Sequence, residues 1–129
     1  MRLLLDTHVA IWILTAIHRL PSDIRQILAR RSNDVLVSAA TIWEIAIKFR
    51  LGRKDSPPFD AKEAIRHFTS VGYDFLDISV AHTAAVGHLN TPHADPFDRL
   101  LIAQAITEPL TLVTRDRNVA AYSPTFITW

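Results

Sequence analysis

The sequence contains no cysteine, which excludes a disulfide framework and a thiolate metal site. Its net charge is only +1, so the chain lacks the broad positive field of a nonspecific nucleic-acid-binding protein. No apolar run approaches the ~20 residues that a membrane span needs. Asp6 and His8 interrupt the apolar N-terminal segment, so we interpret that segment as part of the fold and not as a signal peptide. We therefore expect a cytoplasmic protein with no membrane segment.

The length and composition predict one globular domain over residues 1–129. The chain is 49% hydrophobic and 21% charged, which is typical of a packed domain. Apolar runs that predict strands alternate with helix patterns: strands at 2–5, 35–37, 75–78, 110–113 and 125–129, and helices at 8–17, 22–31, 39–51, 60–71, 79–89 and 96–107. This alternation predicts an α/β/α sandwich with a mainly parallel five-stranded sheet.

Helix signals support several of these assignments. Asp60 with Glu63 three positions later predicts a helix start, and Gly52 predicts the end of the third helix. The segment 52–60 between those positions contains glycine, proline and basic residues, which indicates a surface connection.

Four acidic residues fall where an α/β sheet places its ligands, outside the carboxyl ends of the strands. Asp6 follows the first strand, and Asp116 follows the fourth. Glu44 lies on the helix after the second strand, close to a predicted buried stripe of Ile42, Ile45, Ala46 and Phe49. Asp98 lies in the first turn of the last predicted helix.

Each acid taken alone also has a structural interpretation. Asp6 and Asp116 could cap the helices that follow them, and Glu44 could pair with Lys48 one turn later, which for Glu44 alone is the favoured interpretation. If the four converge, however, each like-charge pair at ~4 Å costs about 4 kcal/mol at an effective dielectric near 20. Such a cluster requires a cation, and all-oxygen ligation favours Mg²⁺ or Mn²⁺ with phosphodiester chemistry.

Asp95 and Asp98 both stand at the start of the last predicted helix, and this stretch alone leaves the choice between helix cap and metal ligand open. Asp95 stands directly before Pro96, which predicts an N-cap followed by proline at the first helical position. Asp98 lies one turn further in, where the helix dipole alone gives an acid only ~0.3–1 kcal/mol.

Four motifs in this order make the chain resemble the PIN-domain ribonucleases of the VapC type, over nearly its whole length. They are LLLDTH (3–8), VSAATIWEIAIK (37–48), HADPFDRLLIAQA (93–105) and LVTRD (112–116). The resemblance implies a toxin of a toxin-antitoxin pair that cleaves RNA with Mg²⁺ or Mn²⁺, forms a homodimer and is silenced by a VapB-like antitoxin. The resemblance implies that the catalytic residues and metal ligands are Asp6, Glu44, Asp98 and Asp116. It also implies that three further residues support these ligands without binding the metal themselves: Thr7, Thr114 and Asp95.

Basic and aromatic residues near these motifs have two interpretations each. Some of the cations could hold RNA phosphates, although a solvated helix end explains most of them: Lys48, Arg50, Arg99 and Arg115. Trp12 and Trp43 favour a core or an interface, with base stacking as the alternative. His8 and His93 rank below the acids as metal ligands.

The alternative to an enzyme is a catalytically silent PIN-like module that binds RNA or a protein. Retention of all four acids argues against it. A dehalogenase-like phosphatase would need an acid where His8 stands, and a receiver domain would need adjacent acids after the first strand, which are absent.

Overall fold

A computed structural model describes residues 1–90 and 95–129 and shows one α/β domain. In its described parts the sheet has four parallel strands in the order β3-β2-β1-β4: β1 (Arg2–Leu5), β2 (Asp34–Ser38), β3 (Asp74–Leu76) and β4 (Thr111–Val113). Leu4 lies at the centre, with Leu36 on one side and Leu112 on the other. The mainly parallel sheet expected from the sequence is confirmed.

The prediction of a fifth strand at 125–129 is wrong. Only Ile127 pairs with the sheet, as an isolated parallel bridge to Val113. Its amide donates to the Leu112 carbonyl at 2.9 Å, and its carbonyl accepts from the Thr114 amide at 3.0 Å. The preceding amide, that of Phe126, instead turns back to the Ser123 carbonyl, so no ladder extends from the bridge.

Helices cover both faces of the sheet. Their bounds are α1 (Thr7–Thr15), α2 (Ser22–Ala29), α3 (Ala39–Leu51), α4 (Ala61–Ser70), α5 (Val80–Ala85), α6 (Pro96–Thr107) and α7 (Arg117–Ala120), with short 3₁₀ turns at Ile17–Arg19 and Val86–His88. The sequence patterns did not indicate α7, whose four residues are too few for a periodic signal. No helix in these ranges is long and apolar enough to cross a membrane.

The alternation of side chains along β1 divides the core into two layers. Leu3 and Leu5 pack in a cluster with α1, α2 and α4, whereas Leu4 packs in a second cluster with Leu101 and Ile102 of α6. Because successive strand residues point to opposite faces, these clusters lie on opposite sides of the sheet. The three-layer α/β/α arrangement follows.

Local signals set the helix ends as expected. Asp60 and Glu63 form a capping box at the start of α4. Gly52 ends α3 with φ 59°, a left-handed conformation that glycine adopts without steric cost.

Half of the predicted stripe on α3 is confirmed, because Ile45 is buried and Ile42 packs partly buried against the core. The helix buries Thr41, Glu44 and Ile45, whereas Ala46 and Phe49 are exposed. Trp43, Ile47 and Leu51 form an apolar row on the exposed side, at i, i+4 and i+8. The prediction is wrong for Ala46 and Phe49, because an acid, Glu44, takes part of the inward face and large apolar residues face solvent.

Candidate active site

Asp6 directly follows the central strand β1 and lies in the candidate site. It is 4% exposed and is the N-cap of α1. One carboxylate oxygen, Oδ1, accepts from the Thr7 amide at 2.7 Å, and Oδ2 accepts from the Thr114 hydroxyl at 2.6 Å. Both oxygens are therefore oriented by groups fixed to the ends of β1 and β4.

Thr114 connects the first acid to the fourth. Its hydroxyl donates to Asp6 and accepts from the Asp116 amide at 3.0 Å. Asp116 in turn caps α7, with Oδ1 accepting from the Asn118 amide at 2.8 Å. The strand order reverses between β1 and β4, the position at which open α/β sheets bind ligands, and the Asp6–Thr114 hydrogen bond spans it.

Glu44 projects from α3 into the same region and is 4% exposed. Its Oε2 lies 2.6 Å from Lys48 Nζ, whereas Oε1 is buried with no hydrogen-bond partner among the described residues. Partial burial works to lower the pKa of Lys48, but the hydrogen bond and charge of Glu44 outweigh it and raise that pKa above 10.5. The sequence-based pair with Lys48 is confirmed, and half of the carboxylate is left unpartnered.

The two buried acids affect each other. Burial is the main cause that raises the pKa of Asp6 above 3.8, and the hydrogen bond from Thr114 works against it. The negative charge of Glu44 raises the Asp6 pKa further. We call Asp6, Glu44, Lys48 and Thr114 the carboxylate cluster.

The start of α6 adjoins the carboxylate cluster. Asp95 is the N-cap, as predicted, with Oδ1 accepting from the Phe97 amide at 2.8 Å and the Asp98 amide at 3.3 Å. The charge of Asp95 contributes to the raised pKa of Lys48, and the ring of Phe97 meets that of Trp43 edge-on at 5.0 Å. The half-buried Asp98 follows on this helix, whereas His93 lies outside the described residues.

The carboxylates fit a hard divalent cation in their chemistry. Within 1–90 and 95–129, no three His, Cys, Asp or Glu side chains lie close enough together to hold a metal ion. The charge of Glu44 acts on Asp6, and Thr114 is hydrogen-bonded to both Asp6 and the Asp116 amide. Asp98 lies on the adjoining helix α6. The orphaned Glu44 oxygen and the destabilised Asp6 charge are what a cation would relieve. The four-carboxylate metal site stays a prediction.

The other predicted residues divide into those that contact the cluster and those that do not. The Thr7 hydroxyl contacts the Thr41 hydroxyl at 3.0 Å, and only its amide reaches an acid. Arg99 donates to the Val86 carbonyl at 3.1 Å, and Arg115 donates to the Trp129 carbonyl. Arg50 is exposed in the last turn of α3.

A second buried polar cluster was missed by sequence reasoning. Gln104 on α6 is 0% exposed, and its Oε1 accepts from the Ser38 hydroxyl at 2.6 Å. Its Nε2 lies 3.3 Å from the Asp77 carbonyl and 3.3 Å from Nδ1 of the buried His82. A lone glutamine inside the apolar run LLIAQA was the available signal.

The remaining atoms of this cluster are also partnered. His82 Nδ1 accepts from the Ser79 amide at 3.0 Å, which leaves the ring proton on Nε2, 2.5 Å from Glu108 Oε2. Ser38 Oγ also caps α3, accepting from the Ala40 amide at 3.0 Å. We call Ser38, His82, Gln104 and Glu108 the amide cluster.

The chain is similar to known proteins in both sequence and structure. The PIN domain family matches residues 3–123. Ribonuclease VapC16 of Mycobacterium tuberculosis is 36% identical over 63 residues, which are 49% of this chain and 45% of that protein, so the match spans just under half of the relative.

Solved structures share the fold over the whole chain. In VapBC2 from Rickettsia felis bound to a DNA fragment from their promoter, the matching chain is 20% identical with a TM-score of 0.71, covering 100% of this chain and 98% of that one. In DNA-bound VapBC from Salmonella typhimurium, the matching chain is 19% identical with a TM-score of 0.70. The match covers 100% of this chain and 97% of that one.

Proposed function

The chain belongs to the PIN domain family, and from this membership we propose that it is a metal-dependent endoribonuclease, the toxin of a toxin-antitoxin pair. The observation that carries the proposal is the carboxylate cluster. Asp6 is buried at the point where the strand order reverses, and the buried Glu44, whose charge acts on Asp6, has an oxygen with no partner among the described residues. A partial match to a curated ribonuclease supports the choice of RNA as substrate.

The side chains would divide the work as follows. Asp6, Glu44, Asp98 and Asp116 would hold Mg²⁺ or Mn²⁺, with Thr114 and the Thr7 amide fixing the Asp6 carboxylate. A bound divalent cation supplies charge to offset that of the phosphate and lowers the pKa of water. Lys48 neutralises one oxygen of Glu44 and leaves the other available.

We further propose that the chain forms a homodimer and binds a VapB-like antitoxin. The matching solved structures include VapBC assemblies, and the apolar row of Trp43, Ile47 and Leu51 on α3 is exposed in the single chain. Apolar rows of this kind are usually covered by another protein surface.

The experiment is cleavage of a broad RNA panel by the purified, antitoxin-free chain with Mg²⁺, with Mn²⁺ and with EDTA. We expect cleavage with a divalent cation only. Asp6→Asn and Glu44→Gln should reduce it by on the order of 100-fold or more, because even outer partners of metal ligands are worth 10- to 100-fold.

The matched control is Asp34→Asn, which changes an exposed acid at the opposite, amino end of β2 and should leave cleavage unchanged. RNA binding without cleavage of any panel member, or full activity in Asp6→Asn, would overturn the proposal.

A further inference from the structure

A cavity of about 430 Å³ lies beside the carboxylate cluster. It is bounded by α1 and the turn after it on one side, and by the end of α3 and the connection to α4 on the other. Its lining includes His8, Trp12, Arg19, Lys48, Arg53 and Pro58. This volume falls within the range of pockets that hold small organic ligands, about 300–1,000 Å³.

An aromatic ring and a cation form one wall. Trp12 is half-buried and packs on the core cluster below it. The Arg19 guanidinium lies 5.2 Å from the centre of the Trp12 ring, and the His8 ring lies 6.1 Å from it at an angle of 48°. Arg19 and His8 are both exposed, so they can move while Trp12 stays fixed. A flat wall of this kind suits a planar, electron-rich ring.

The charge of the cavity is positive on balance. Arg19, Lys48 and Arg53 line it together with a single acid, Asp55. Lys48 is already paired with Glu44, but Arg19 and Arg53 are exposed and each carries a permanent charge. Guanidinium groups bind phosphate oxygens through paired N–H donors. The cavity therefore offers a stacking surface and anion-binding groups within one space.

The cavity adjoins the carboxylate cluster through two of its lining residues, His8 and Lys48. His8 follows Asp6 by two positions, and Lys48 contacts Glu44 at 2.6 Å. A ligand in the cavity therefore has one end beside the acids.

We propose that this cavity binds a nucleotide flanking the scissile phosphate of single-stranded RNA, with its base against Trp12 and its phosphate held by Arg19 and Arg53. The inference rests on the proposed ribonuclease function, to which it adds a substrate-binding subsite. Its combination of aromatic face and guanidinium groups favours a nucleotide over a peptide segment.

The test measures anisotropy of a labelled, mixed-sequence single-stranded oligoribonucleotide in EDTA, where binding is read without cleavage. We expect Trp12→Leu to weaken binding roughly ten-fold, and Trp12→Phe by less than about three-fold, because stacking tolerates a smaller ring. Arg53→Ala should reduce the salt dependence by about one phosphate contact. Phe75→Leu, which removes a 38% exposed aromatic ring of β3 outside the cavity, is the control and should bind as the parent does.

A second measurement separates this subsite from the proposed function. With a divalent cation, Trp12→Leu should raise KM for RNA far more than it lowers kcat, because uniform binding is lost. If the parent cleaves RNA and both Trp12→Leu and the Arg19→Ala, Arg53→Ala double variant bind as it does, the subsite is refuted and the ribonuclease proposal stands.

If the parent binds RNA through Trp12 but cleaves none, the ribonuclease proposal fails, and the subsite fails with it because the cavity then binds RNA without a scissile phosphate beside it. If the parent binds no oligoribonucleotide and cleaves none, both fail. The double variant keeps the test decisive if Trp12→Leu does not fold, since both arginines are exposed.

Discussion

The carboxylate cluster and the amide cluster lie at the same end of one sheet and differ in how fully their atoms are partnered. Ser38 ends β2 and Asp77 follows β3, so the amide cluster occupies one half of the edge. Asp6 follows β1 and Thr114 follows β4, so the carboxylate cluster occupies the other half.

The difference supports a structural role for the amide cluster and the proposed functional role for the carboxylate cluster. In the amide cluster every polar atom of Gln104 has a partner, which makes the network a stabilising clamp between α6 and the strand ends. In the carboxylate cluster Glu44 Oε1 has none among the described residues, and burial disfavours the Asp6 charge. Proteins retain such unfavourable groups mainly where they bind or react.

The largest effect on stability is expected from Gln104→Leu, which should lower the free energy of unfolding by about 3 kcal/mol. It leaves the buried Ser38 hydroxyl without its acceptor, at ~1–3 kcal/mol, and removes the hydrogen bond to the Asp77 carbonyl, at ~0.5–1.5 kcal/mol. Urea denaturation measures the loss. Ile106→Ala, at a 51% exposed position of the same helix, is the control and should stay within about 0.5 kcal/mol of the parent. An equal loss in both variants would show that the amide cluster stabilises the fold no more than an exposed position of the same helix does.

Lys48→Met should cost about 2 kcal/mol without divalent cation, because it leaves the Glu44 charge buried and unpaired. The figure lies below the ~3–5 kcal/mol of fully buried pairs because the Lys48 side chain is 41% exposed. Adding Glu44→Gln should restore most of the loss, and the double-mutant cycle measures this coupling. Lys54→Met, at an exposed lysine of the connection after α3, is the control. Additive effects would show that the pair does not couple.

Asp6→Asn should raise the free energy of unfolding in EDTA at neutral pH by about 1 kcal/mol, because it removes a buried charge. Gains of this size are common when an unfavourable group of a functional site is replaced. Burial raises the folded-state pKa of Asp6, so stability present below pH 3.8 is lost as pH rises through that pKa. The advantage of Asp6→Asn should therefore shrink on acidification. Thermal melts from neutral to acidic pH check this, and saturating Mg²⁺ or Mn²⁺ should stabilise the parent only. A variant less stable than the parent in EDTA would contradict the comparison.

Asp95→Ala is expected to have the smallest effect, a loss of no more than about 1 kcal/mol, while RNA cleavage is largely retained. Asp95 accepts from two amides at the start of α6 and so acts as a cap beside the carboxylate cluster. Asp95→Asn keeps a capping oxygen and should retain stability. Loss of cleavage in a fully folded Asp95→Ala would instead place this residue within the reacting group.

Four of the five predicted strands and most helix ends could be predicted because their signals are local. Asp60 with Glu63 and the glycine at 52 need only their neighbours in sequence, and both behave as expected. Asp6 was identified because it follows a buried strand, and its exposure of 4% supports that position in the fold.

Other features depend on contacts that sequence patterns do not contain. The segment at 125–129 has the composition of a strand, but only Ile127 pairs with the sheet. Glu44 faces inward while Trp43 is 57% exposed, which reverses the usual preference of both residue types. The partners of Gln104 lie up to 66 positions away, so the amide cluster becomes visible only once the chain is folded.

The hydrogen bond from Thr114 to Asp6 also determines when, during synthesis and folding, the carboxylate cluster is completed. It joins groups 108 positions apart, and β4, the strand that carries one side of it, follows β1, β2 and β3 in the chain. Closing so long a loop costs entropy that is recovered only when β4 docks on β1. A chain still lacking residues beyond 110 holds Asp6 without its hydroxyl donor. If this protein degrades RNA as proposed, its carboxylate cluster is therefore completed only after β4 has been synthesised and has docked on β1.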